Sequence, residues 1–271
     1  MRLAHLSDFH LLAPRARPDW RIRWIAAGRP LDFEGRYARA VRALRHANRA
    51  DLVVLTGDLT ETGSVAQFRT FADALAESQL DPEQVVFLPG NHDRYGPADA
   101  WENAFDGPLS RFPHVARGAH GVFLQRQGLH LVALDVTRAQ GCLRSTGFFT
   151  APQREHVQRS LLVVDGARRH AVVALHHPPQ RHPVRAWHWV NGLDGTEDLY
   201  AALGERPRSL LHGHVHQDRR HRWGPHHVHA VPAVVMPREE PPVTFHDVAP
   251  DGELARVETV TPPPKLLELV S

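Results

Sequence analysis

The sequence predicts an α/β fold on two observations: short apolar runs that each end in a polar turn, and amphipathic helical patterns between them. A third observation says where the chemistry sits. Histidine, aspartate and asparagine gather in those turns, and ligands of α/β sheets bind outside the carboxyl ends of the strands. The first run, residues 3–6, ends in Ser7-Asp8, and residues 52–55 end in TGDLTETG. Residues 85–88 end in PGNHD, 129–134 in Asp135, 171–175 in HHPP and 209–211 in HGHVH. Unbroken Val/Leu runs of this length suit strands buried on both faces, because half-exposed strands alternate. Between them, residues 35–48 put Tyr37, Ala40, Val41 and Leu44 on one helical stripe, and 64–77 do so with Val65, Phe68, Phe71, Ala72 and Leu75. Residues 152–162 and 196–203 are weaker helices.

Two stretches break the alternation. Residues 13–32 mix Arg with Trp20, Ile22, Trp24 and Ile25, and residues 178–195 combine Pro, Arg, His and Trp after the double histidine. Long irregular inserts of this kind serve as lids or substrate loops, or as flaps over a sheet edge. After Val231 the chain reads as further strands, then a Pro-rich tail over 262–271. With no internal repeat, residues 1–271 are expected to form a single domain.

The formal net charge of +2 is small for a nucleic-acid binder despite a pI near 9.1, so no stable nucleic-acid partner is expected. The cationic side chains are nearly all Arg, with Lys265 the one lysine. The single cysteine, Cys142, excludes an internal disulfide, and Met1-Arg2 leads straight into LAHLSD without a signal-peptide pattern. No apolar run nears the ~20 residues that cross a bilayer. A cytoplasmic location is the expectation. The outlying figure is 21 histidines, which directs attention to metal chemistry.

Five turns supply ligand-type side chains: Asp8 and His10; Asp58 after Gly57; Asn91, His92 and Asp93 after Gly90; His176 and His177; and His214 and His216. Each has a plain explanation alone, as a polar loop or a capped strand end. Together they bring carboxylates, an amide and imidazoles to one sheet edge, a thiolate-free set suited to Mn, Fe or Zn. In LLHGHVHQ, His212, His214 and His216 stand on alternate positions, which on a strand would share one face. Asp135 reads as a turn residue or a partner to a ligand. His226, His227 and His229 read as incidental to a hairpin.

In order and type, D-x-H, G-D, G-N-H-D, H-H-P-P and G-H-x-H, spanning Asp8 to His216, resemble the calcineurin-like metallophosphoesterase superfamily. The HHPP form is similar to its cyclic-nucleotide and glycerophosphodiester phosphodiesterase branch. The resemblance implies a four-layer α/β/β/α sandwich with two divalent metal ions at the strand C-terminal ends, about 3.5–4 Å apart. It implies that Asp8, His10 and His216 hold the first metal, that Asp58 bridges both, and that Asn91, His176 and His214 complete the second. His212 is then left to support a ligand or to packing, and His176 is preferred to His177 on family pattern alone. His92 and Asp93 become the catalytic pair. His92 would stabilise the transition state or protonate the leaving group, with Asp93 orienting it or capping a helix.

The implied reaction is hydrolysis of a small phosphodiester by in-line attack of a metal-bound hydroxide. Alternatives on the same fold are a phosphomonoesterase and a nucleotide-lipid pyrophosphatase of the UDP-diacylglucosamine type. For the latter, residues 13–32 would offer a weak membrane-surface contact. A non-catalytic scaffold is a third reading, opposed by the presence of every expected ligand and of His92. The oligomeric state stays open, with a homodimer among the options.

Overall fold

The computed structural model describes residues 1–14, 23, 26, 29–141, 144–238 and 240–260. In chain order the elements are β1 (Arg2–Leu6), α1 (Phe33–Ala47), β2 (Leu52–Leu55), α2 (Val65–Ser78), β3 (Val85–Phe87), α3 (Ala100–Asp106), β4 (His114–Val115), β5 (Val122–Arg126) and β6 (Leu129–Ala133). Next come β7 (Gly147–Phe148), α4 (Ala151–Gly166), β8 (Ala171–Ala174), α5 (Arg185–Asn191), β9 (Leu193–Asp194), α6 (Thr196–Leu203) and β10 (Ser209–His212). The chain ends on β11 (Arg219–Trp223), β12 (His226–Ala230), β13 (Val243–Val248) and β14 (Leu254–Val260). Trp20, Ile22, Trp24, Ile25, Cys142, Lys265 and the tail over 262–271 lie outside the described residues.

One sheet runs β14-β13-β1-β2-β3-β4 and the other β11-β12-β10-β8-β6-β5, with a small β7-β9 ladder beside them. The first sheet is parallel from β1 to β4, and the second from β6 to β12. Antiparallel pairing is left to β13 and β14 in one sheet and to β5 and β11 in the other. The predicted strands are all present. Their apolar runs alternate between two cores, which is why they read as unbroken. Leu3, Leu52, Val54 and Val86 meet Leu131, Ala133, Val172, Ala174 and Leu211 between the sheets. The opposite face of the first sheet packs Val53, Leu55 and Phe87 on Leu44 of α1, Phe71 of α2 and Trp101 of α3. The far face of the second packs Val132, Val173 and Leu210 on Leu161 of α4 and Leu199 of α6. The layers are therefore α/β/β/α, and each fully buried Leu or Phe contributes roughly 1.5–3 kcal/mol of transfer free energy.

Helix boundaries follow local chemistry. Ser64 caps α2 by accepting from Gln67 N–H at 3.3 Å, and Gln153 reaches back to Thr150 N–H at 2.8 Å to open α4. Two helices were not expected. The stretch 100–106 is too short for a period, yet Trp101 and Phe105 seat α3 on Phe87. The insert 178–195 is not wholly irregular, since it contains α5 and β9, and β9 pairs with β7.

The hairpin expected for His226, His227 and His229 forms between β11 and β12, and it adds a cluster not anticipated. The His246 ring lies 5.3 Å from that of His229 and 6.0 Å from that of His5. All three are buried, and neither His246 ring nitrogen has a hydrogen-bond partner among the described residues. Burial, then the neighbouring rings, pushes His246 down to about 3 and His229 down to about 4, and holds His5 well below its usual value. In the unfolded chain each returns to about 6.5. Below that pH the unfolded state binds protons that the folded state refuses, so stability falls as pH drops from about 6.5 towards the folded values. Each group contributes a slope of up to about 1.4 kcal/mol per pH unit. A His246→Leu variant is expected to lose less thermal stability than the parent between pH 7 and pH 5, and equal losses in paired melts would contradict this.

Candidate metal centre

The polar turns predicted from the strand ends converge. Ser7 to His10 leaves β1, Thr56 to Glu61 leaves β2, and Gly90 to Asp93 follows β3 on the first sheet; His176 and His177 follow β8, and Gly213 to His216 follow β10 on the second. Because the parallel strands of each sheet point one way, their carboxyl ends share one rim. The turns are sharp. Asp8 (φ 60°), His10 (φ 48°), Asp58 (φ 52°), His214 (φ 67°) and His216 (φ 56°) are all left-handed, a region that costs a non-glycine residue of order 1–3 kcal/mol. Such strain turns side chains inward where an extended backbone would alternate them. Two glycines make room. A Cβ on Gly57 (φ 94°) would lie 2.7 Å from both Gly90 Cα and His176 Nδ1, and one on Gly90 would strike Asp58.

The donor atoms form two adjoining groups, Asp8 with His10 and His216, and Asp58 with His176 and His214, either of which could hold a metal ion; a third, His10 with Glu61 and His92, meets the same spacing, but Arg29 and Arg36 already pair with its carboxylate. His10 Nε2 faces His216 Nε2 at 3.3 Å, and Asp8 Oδ1 lies 3.1 Å from the latter yet takes no well-directed hydrogen bond. Asp58 is shared between the groups. Its Oδ1 accepts His92 N–H at 2.8 Å, which turns Oδ2 to His10 Nε2 at 3.6 Å and to His176 Nε2 at 3.4 Å. Asn91 Oδ1 adds a neutral oxygen 3.2 Å from His176 Nε2. His176 is oriented by its other nitrogen, 2.6 Å from the Thr56 carbonyl. Facing imidazole nitrogens and an under-bonded buried carboxylate oxygen, with no thiolate, are a donor set that fits divalent cations.

Charge follows position. Burial works to raise Asp8 and Asp58, but the surrounding histidines override it and hold both well below the carboxylate range. Burial works to lower His176, yet Asp58 and Asp8 push it up to about 9. Burial and its neighbours push His10 and His214 down to about 3, so both rings are neutral and able to donate a lone pair. His177 turns to the Ser145 carbonyl at 2.6 Å, outside both groups. His212 ends β10 with Nδ1 2.9 Å from the Gly213 carbonyl, so the alternation in HGHVH belongs to a left-handed loop rather than a strand.

His92 and Asp93 need a correction. Asp93 does not hold His92. Its carboxylate accepts from the backbone of Leu59, Thr60 and Gly90 and from the Thr60 hydroxyl, tying the second turn to the third. Nor does it cap a helix, since the short turn at His92–Arg94 is preceded by Asn91. His92 is oriented by Glu61, whose carbonyl lies 2.8 Å from Nδ1, and its ring packs edge-on to His10 at 4.4 Å. Glu61 belongs to none of the sequence motifs. It is buried, paired with Arg29 at 2.6 Å and with Arg36, and these cations with His10 and His92 pull it down to about 2 against the effect of burial. The signal was a carboxylate three residues past Asp58 in the same turn. Asp135 is a partner to a loop rather than to a ligand, gripping Arg94 at 2.6 Å across the two sheets.

A cavity of about 870 Å³ opens over these atoms, lined by Asp58, Asn91, His92, His214 and His216 together with residues 178–183 and part of α5. That volume is within the range of small-molecule sites. Among the described residues no helix is long and apolar enough to cross a membrane.

Comparison with known proteins agrees with this architecture. The family model for calcineurin-like phosphoesterases matches residues 1–218. The chain is 31% identical over 245 residues to the 3',5'-cyclic adenosine monophosphate phosphodiesterase CpdA of Escherichia coli, covering 87% of this chain and 77% of that protein. It is 26% identical to a 3',5'-cyclic-nucleotide phosphodiesterase of Nostoc, covering 83% and 76%. A dimetal phosphatase from Danio rerio superposes with a TM-score of 0.67 at 15% identity over 96% of this chain and 98% of that one, a likeness of fold. The motifs, the paired donor groups, the four layers and the family match agree, and the chain belongs to the calcineurin-like phosphoesterase family.

Proposed function

We propose that the protein is a dinuclear metal-dependent phosphodiesterase that hydrolyses a small diester, a 3',5'-cyclic nucleotide before a glycerophosphodiester. The observation that carries this is the shared Asp58 carboxylate, with Oδ2 between two donor groups at 3.6 and 3.4 Å. Asp8, His10 and His216 would hold one metal, and Asn91, His176 and His214 the other, with Asp58 between them. Mn, Fe and Zn all suit this nitrogen and oxygen set. When bound, such ions activate water and neutralise phosphoryl charge. The names of the relatives favour the cyclic nucleotide over the glycerophosphodiester.

The chain's own residues do the rest. The water oxygen bonds to phosphorus as it gives up one proton to solvent, one ester P–O bond breaks, and the departing oxygen takes a proton. His92 is the group for that proton. Its Nδ1 is engaged by the Glu61 carbonyl, so Nε2 is the ring atom left for the cavity. Burial lowers its basicity, while the Asp58 and Glu61 carboxylates favour the protonated ring, and an arriving phosphate anion adds to their side. Asn91 stays neutral, which leaves the site more positive than a third carboxylate would and suits an anionic substrate.

The test is a hydrolysis panel with added Mn²⁺: 3',5'-cyclic AMP, 2',3'-cyclic AMP, bis(p-nitrophenyl) phosphate, p-nitrophenyl phosphate and a UDP-linked lipid. Turnover of the diesters above the monoester, abolished by chelation and restored by metal, is expected. Inert diesters beside an active monoester or UDP-lipid would move the assignment to the corresponding alternative. No turnover and no bound metal by elemental analysis would leave a scaffold.

A further inference from the structure

The cavity lining has a second part whose composition differs from that of the metal-ligating rim. Among the described residues, α5 and its flank carry three of the large exposed apolar side chains, Val184 (57%), Trp187 (57%) and Trp189 (59%). Their placements differ. Trp189 is not a cavity residue: the Arg144 guanidinium sits 4.9 Å over its ring, and its carbonyl takes hydrogen bonds from Arg144 and from the Thr146 hydroxyl. Trp187, Val190 and Asn191 do line the cavity, and their spacing of i, i+3 and i+4 puts them on one helical face. That face is an aromatic plate, an aliphatic neighbour and an amide. It lines the same continuous space as the metal-ligating rim.

Each part has a fixed orientation. The ladder of β7 with β9, the hydrogen bond of Ser145 N–H to the Val190 carbonyl (2.9 Å) and that of the Ser145 hydroxyl to the Asn191 amide oxygen (2.7 Å) hold the C-terminal end of α5. With its oxygen taken by Ser145, the Asn191 amide has its N–H groups left for a ligand acceptor. Near the other end, the His182 ring contacts Trp187 at 6.3 Å, and the backbone of His182 donates to His188 Nδ1 at 3.3 Å. Trp187 is thus positioned from one side and exposed on the other. An exposed, oriented indole beside a polar amide suits a flat heteroaromatic ring with acceptor atoms on its edge, because stacking tolerates any base and the amide selects an edge.

We infer that the cavity face of α5, Trp187 with Val190 and Asn191, is the subsite for the nucleobase of the substrate, Trp187 stacking on its plane and Asn191 donating to its edge. This rests on the phosphodiesterase reading above and adds where the organic half of the substrate sits. It gives the insert over 178–195 a role distinct from covering a sheet edge: the metal rim takes the phosphoryl group, and the insert chooses what the phosphoryl group carries.

The experiment compares the full-length protein with Trp187→Ala and Trp187→Phe, all loaded with Mn²⁺. For 3',5'-cyclic AMP, Trp187→Ala is expected to raise KM about tenfold with kcat within about twofold, and Trp187→Phe to restore KM to within about threefold. Inhibition of bis(p-nitrophenyl) phosphate turnover supplies the control. The inhibition constant of AMP is expected to rise about tenfold in Trp187→Ala while that of ribose 5-phosphate stays unchanged. Equal changes for AMP and ribose 5-phosphate, or no change for AMP, would overturn the subsite and leave the hydrolase reading intact. A wild-type protein that turns over a simple diester but neither hydrolyses nor binds any nucleotide would remove the nucleotide reading and the subsite together.

Discussion

Asp58→Ala is expected to empty at least one of two metal positions and to lower turnover by more than about 10²-fold. The reason is geometric. One carboxylate oxygen is tied to His92 N–H at 2.8 Å, and the other faces His10 and His176 at 3.6 and 3.4 Å. An anion between two donor groups offsets the repulsion of two cations, and the Asp58 Oδ2 atom faces a ring nitrogen of each group. Asp58→Asn keeps the acceptor for His92 N–H but loses the charge, so it separates collapse of the turn from loss of the anion. Elemental analysis after Mn²⁺ loading reads both variants. Two equivalents of metal in Asp58→Ala would exclude a bridging role.

His92→Ala is expected to keep both metals and to lose about 10²–10⁴-fold in kcat, the usual contribution of a positioned acid or base. The backbone N–H that Asp58 accepts survives the substitution, so the donor groups keep their geometry. What disappears is an imidazole in the cavity wall, oriented by the Glu61 carbonyl. A leaving group that needs no proton, such as p-nitrophenolate, should lose less than a ribose hydroxyl does. Loss of metal from His92→Ala, or equal losses for both leaving groups, would remove His92 from the proton-transfer role.

Most of the fold was legible because its strands announce themselves twice, as Val/Leu runs and as the turns that end them. The run 171–175 with HHPP is one example, and 85–88 with PGNHD another. The members of both donor groups were legible for the same reason, since parallel strands deliver their end residues to one rim. What sequence could not supply was orientation. His176 and His177 are adjacent and identical, and only the Thr56 and Ser145 carbonyls distinguish them. Asp93 seemed the natural partner for His92, but neighbours in sequence on a tight turn point apart, and Glu61 from another strand end takes that place. Helix α5 was hidden because its apolar residues face a cavity or an arginine rather than a core, so no buried stripe marked it.

The Asp8 group and the Asp58 group each draw from both sheets. Asp8 and His10 belong to the first and His216 to the second; Asp58 belongs to the first, and His176 and His214 to the second. A cation held in either group would therefore act as a rivet between two plates that also meet through oil-like side chains, the His229–His246 contact and the Arg94–Asp135 pair. Metal that binds only the assembled plates stabilises them by mass action, by about 2.7 kcal/mol at a free concentration a hundred times its dissociation constant. The machinery for cutting a phosphoester is in this sense also a fastener, and stripping it should let the two halves of the molecule slide and melt at a lower temperature.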